Sequence, residues 1–78
     1  MSDDSFKIEI LRDTYEDQFQ TAEDHRKRGE KQDAARAFEQ AADTLEKLAA
    51  ASDEDRSADI ERLQRAASIL RRGEQLEE

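Results

Sequence analysis

The chain has 78 residues, enough for one small domain with little room for a deep active site. Its 21 carboxylates against 13 Lys and Arg give a net charge of −8, which disfavours nucleic acid and anionic membrane as partners. It has no cysteine, which excludes disulfides, thiolate nucleophiles and Cys-ligated metals; no proline and only two glycines interrupt a sequence rich in good helix formers, so the class is all-α.

The first apolar series is Ile8, Leu11, Tyr15, Phe19 and Ala22, whose spacing by three and four forms one narrow stripe on a helix. It predicts a helix from about Ser5 to about Arg28, with Met1 to Asp4 frayed. Asp3, Asp4 and Glu9 at its start and His25-Arg26-Lys27-Arg28 at its end complement the helix macrodipole, and Gly29 can take the left-handed conformation that ends it. Tyr15, Phe19 and Phe38 are read as core and not as a stacking platform.

A second helix, about Gln32 to about Ala51, gathers Ala34, Ala35, Phe38, Ala41, Ala42, Leu45, Leu48 and Ala49 on one broad face. An alanine-rich face lets neighbouring helices approach closely. Ser52, followed by Asp53, Glu54 and Asp55, reads as the N-cap of a third helix running to about Leu76. There Ile60, Leu63, Ala66, Ala67, Ile69, Leu70, Gly73 and Leu76 cover an arc of roughly 200°, wider than the ~100° stripe of a simple surface helix. The excess predicts a surface groove of Ala, Gly, Leu and Ile able to receive an amphipathic helix. Together these elements make a single three-helix bundle over residues 1–78, with helices at about 5–28, 32–51 and 53–76.

Catalytic machinery is absent from the pattern: there is one histidine, no Gly-rich phosphate loop, and no histidine placed to activate a serine. No catalytic, cofactor-binding or metal-binding residue is therefore assigned, and His25 is read as an exposed imidazole at a helix end. Arg26 to Arg28 with Lys31 is a short basic cluster without interleaved aromatics, read as a solvated helix end and not a phosphate site. Arg62, Arg65 and Arg72 edge the third helix as a solvated face, with contact to a ligand as the alternative. No apolar N-terminal run suggests a signal or membrane span, so the expected compartment is the cytoplasm. Arginine outnumbers lysine nine to four and aspartate supplies ten carboxylates, a skew associated with proteins working at high intracellular salt.

Asp33-Ala34, Phe38 and Ala41 in the second helix, and Leu70, Arg72, Gly73, Glu74 and Leu76 in the third, resemble the MIT (microtubule interacting and trafficking) domain. That family is a three-helix bundle at the N-terminus of AAA ATPases that disassemble ESCRT polymers and in related trafficking proteins. The first helix agrees more loosely through Phe19, Ala22 and the turn at Gly29. The resemblance implies a docking module, not an enzyme in itself, either excised from an ATPase or free-standing. It implies a short Leu- and Arg-containing amphipathic helix of a partner as ligand, laid between helices two and three against Ala35, Ala42, Ala66, Ala67, Leu70, Gly73 and Glu74. Leu70 would floor that groove and Glu74 would meet an arginine of the partner. Gly73 stands where the family has alanine, at a cost of about 1 kcal/mol of helix stability. Several larger positions of helix two are Ala, Thr or Leu here, making the groove shallower. One short helix in such a groove implies micromolar affinity, about −8 kcal/mol. On this reading Leu70→Asp leaves the fold intact and abolishes binding.

Neither nucleic acid nor direct membrane insertion is expected, and weak self-association is allowed. The alternatives are a self-associating structural protein, using the wide arc on helix three as its interface, and a lone tetratricopeptide-like adaptor. The second draws on Gly29, Ala34, Phe38 and Ala41, but only one copy of that pattern exists and repeats need stacked neighbours.

Overall fold

The computed structural model describes the backbone over residues 3–73 and side chains from Phe6 to Gly73. Three helices follow one another: α1 (Asp3–Lys27), α2 (Lys31–Ser52) and α3 (Ser57–Arg71). Short turns join them, so α2 runs antiparallel to both neighbours and α1 parallel to α3. Helix α2 is the centre of the molecule. It packs against α1 on one side and α3 on the other, while no Cα of α1 comes within 8 Å of one in α3.

The core explains why α2 takes the middle. Its wide buried face, Ala34, Ala35, Ala37, Phe38, Ala41, Ala42, Leu45 and Leu48, meets Ala22 from α1 and Leu63, Ala67 and Leu70 from α3. Alanines outnumber all larger side chains in this core, so the helix axes lie close and each large side chain carries much of the packing. Ile8, Leu11, Tyr15, Ile60 and Ala66 seal its edges. Phe19 departs from its expected place in the core. It is 38% exposed and leans over the seam, 6.1 Å from the Tyr15 ring and edge-on to buried Phe38 at 6.0 Å.

Each helix ends at a residue of positive φ. Gly29 (φ 81°) follows α1, where the amides of Gly29 and Glu30 return to the carbonyls of Arg26 and His25 at 3.1 and 2.9 Å. This is a Schellman closure and matches the expected turn. Asp53 takes the same role after α2 at φ 57°, with the Glu54 amide on the Ala49 carbonyl at 3.0 Å. Ser52 is therefore not the N-cap of α3. It is the last residue of α2, and its hydroxyl donates back to the Leu48 carbonyl at 2.7 Å. Helix α3 begins at Ser57 instead, where Asp55 accepts from the Ser57 amide and hydroxyl at 3.1 and 2.6 Å.

The third helix is also shorter than predicted at its far end. Gly73 sits at φ 82° and donates its amide to the Leu70 carbonyl at 3.0 Å, so it terminates α3 instead of continuing it. Glu74, Gln75 and Leu76, expected on the same helix, lie outside the described residues, as do Met1 and Ser2 at the other end. Asp3 and Asp4, expected to be frayed, already belong to α1.

Candidate functional site: the edges of α2 and α3

The last carbonyls of α3 need partners that the helix cannot supply. Two side chains from the first turn of α2 provide them: the Lys31 ammonium donates to the Gly73 carbonyl at 2.6 Å and the Gln32 amide to the Arg71 carbonyl at 3.2 Å. Arg71 returns an ion pair to Glu39 of α2. The α2–α3 seam is thus latched at this end by polar contacts between residues about forty positions apart. Between α1 and α2 the Thr44 hydroxyl donates to the side-chain amide oxygen of Gln18 at 2.6 Å.

The residues expected to line a groove divide into three groups. Ala35, Ala42, Ala67 and Leu70 are at most 2% exposed; they meet one another in the core and offer no surface to a ligand. Leu70 is one of the two largest fully buried side chains, which corrects the expectation that Leu70→Asp would leave the fold intact. Ala66 is partly buried and Gly73 is exposed, the latter as a helix end and not as a groove floor. Glu74 lies outside the described residues.

At 100° per residue, Leu63 and Leu70 mark the centre line of α3, with Ile60, Gln64, Ala67 and Arg71 on one side and Ala66 and Ile69 on the other. Because Arg71 meets Glu39, the first side faces the outer edge of α2. Glu46 lies two turns beyond Glu39 on that same edge, and both carboxylates are exposed. Ile60 is partly buried on that side of α3, three turns before Arg71.

The basic cluster at the α1–α2 turn does not converge. Arg26 pairs with Glu23 at 2.8 Å, Lys31 is used on α3, and Lys27 and Arg28 are exposed. His25 is not the exposed imidazole expected of it: its side chain is 28% exposed and its Nδ1 lies 2.5 Å from a Glu30 carboxylate oxygen. A carboxylate oxygen of Asp33 completes a group of three donor atoms, all within 4.8 Å of one another. The His25–Glu30 pair ties the end of α1 to the turn, which accounts for the arrangement without an ion. The spacing of five across Gly29 was the available signal, since a Schellman turn brings those two positions together.

Among the described residues three ionisable groups are shifted, Tyr15 on α1 and Glu54 and Asp55 in the α2–α3 connection. Burial pushes the Tyr15 phenol above its ordinary value, the Asp59 carboxylate adds to the rise, and Arg56 opposes it. This places the middle of α1 within electrostatic reach of the start of α3. Glu54 is held below the usual carboxylate range, first by its hydrogen bond from Arg56 and then by that from Ser52. Asp55 is lowered by the Ser57 hydroxyl and, after it, the Ser57 amide.

The sequence matches no protein-family model, and neither the curated proteins nor the solved structures compared with it give a match. The likeness to MIT domains therefore rests on the residues quoted above. No helix among the described residues is long and apolar enough to cross a membrane.

Proposed function

We propose that this domain is a docking module that holds an amphipathic helix of a partner protein along the α2–α3 edge. The observation that carries the reading is that, among the described residues, no Cα of α3 lies within 8 Å of one in α1, so α3 is packed closely by α2 alone. A helix with an apolar arc gains from a second neighbour, and a partner helix can supply one. The exposed carboxylate of Glu46, on the α2 edge that faces Ile60 and Gln64, favours a partner carrying Arg or Lys around its leucines. The MIT resemblance implies the same class of ligand, and with it recruitment of an ATPase or adaptor to ESCRT-type polymers. The alanine floor is already sealed, so contact would fall on Ile60, Gln64 and the acidic rims, a shallow site suited to micromolar, reversible binding at about −8 kcal/mol.

The test reverses the charge of the rim. Glu46 is exposed, so Glu46→Arg keeps the fold. In fluorescence anisotropy with a labelled Leu/Arg amphipathic peptide, Glu46→Arg weakens binding several-fold, and raised salt weakens the wild-type complex. Equal affinity of wild type and variant at low salt would sink this placement.

A further inference from the structure

A second groove lies on the opposite flank of α2, between the first half of α1 and the last turns of α2. It is lined by Lys7, Leu11, Lys47, Ala50 and Ala51. Leu11, Ala50 and Ala51 give it an apolar floor, and the two alanines keep that floor low enough for a third helix axis to approach. Beside it on α1 are Phe6 and Ile10, 66% and 49% exposed, the two most exposed large apolar side chains among the described residues. Lys7 sits between Leu11 and Ile10 around α1, so the lysine links the floor to Ile10, while Phe6 lies farther round, about 140° from Leu11.

The residues that line the groove include two lysines and no carboxylate. The chain has a net charge of −8 and four lysines, and two of them wall this one groove. Neither Lys7 nor Lys47 takes part in an ion pair or hydrogen bond among the described residues; Lys31, by contrast, is used on the end of α3. Two exposed ammonium groups on the walls of an apolar trough suit an amphipathic helix with carboxylates on both shoulders of its apolar stripe. A second copy of this chain is the poorer occupant, because its own −8 charge adds repulsion to every approach.

We propose that the α1–α2 groove docks an acidic amphipathic helix of a partner protein, anchored on Leu11 with Ile10 at its margin and clasped by Lys7 and Lys47. This site does not depend on the α2–α3 edge and prefers the opposite charge. The probes are two synthetic amphipathic peptides with the same leucine spacing, one flanked by glutamates and one by lysines, added to the isotope-labelled full chain. The glutamate peptide gives saturable amide shifts at Leu11, Ala50 and Ala51, and the lysine peptide gives none there. Both lysines are exposed, so the double variant Lys7→Glu/Lys47→Glu folds, and it binds the glutamate peptide about tenfold more weakly or worse. Three results would each overturn the proposal: no saturable shift at those amides up to about 1 mM peptide, equal response to both peptides, or unchanged affinity of the double variant. Shifts at the same amides that follow protein concentration without peptide would assign the face to self-association and overturn it equally.

Discussion

Leu70→Ala isolates what holds α3 in place. Only Leu63, Ala67 and Leu70 of that helix are fully buried, and Leu70 is 1% exposed against the alanine face of α2. Truncating a leucine so enclosed costs about 2–5 kcal/mol, counting lost transfer energy and the cavity left behind. A chain of this size is stable by roughly 4–12 kcal/mol in all, so the variant loses a large share of its stability. The loss appears as a Tm lower by at least about 8 °C, followed by circular dichroism, with a matching fall in the urea midpoint. A loss below about 1 kcal/mol would refute the packing described here, because it would mean that Leu70 faces a groove and not the core. Leu70→Asp, which buries a carboxylate among alanines, leaves the chain unfolded and cannot serve as a binding test.

Two further outcomes follow from the helix ends. Asp53 is the one non-glycine residue of positive φ among the described residues, so Asp53→Gly relieves that conformation and raises stability by about 0.5–1 kcal/mol, read as a Tm increase of a few degrees. Asp55, lowered by the Ser57 hydroxyl and amide, contributes stability that is present above the ordinary carboxylate value and lost as pH falls through its own lower value. Acid titration followed by the Ser57 amide therefore shows α3 loosening at its start below about pH 4, and Asp55→Ala removes that pH dependence while lowering Tm at neutral pH.

Much of this fold is legible in the residues. Alanine spacing at three and four identifies the broad face of α2, and Gly29 after a basic run marks the end of α1. The start of α3 is not legible in the same way. Ser52 before three carboxylates has the composition of an N-cap, but its hydroxyl bonds back to Leu48 and Asp53 takes the left-handed turn, so α3 starts at Ser57, with Asp55 accepting from the Ser57 amide and hydroxyl. Either arrangement satisfies the same composition, and tertiary packing decides between them. Gly73 misleads for a related reason. On a helical wheel a glycine widens the apolar arc whether it lies inside the helix or just past its end, and here it lies past the end. With Gly73 removed from the arc, Leu63, Ala67 and Leu70 are sealed against α2, and Ala35 and Ala42 face them from α2 as core. Phe6 and Ile10, spaced by four on the side of α1 away from Leu11 and Tyr15, carry the signal of a second face that the main stripe obscures.

The most direct measurement of the docking reading is an amide chemical-shift titration of the full chain with the Leu/Arg peptide at low salt. Saturable shifts along Ile60, Gln64 and Glu46, with the core amides of Leu45 and Ala41 unmoved, are the predicted result. Absence of shifts on that edge, or shifts that track protein concentration alone, would contradict it.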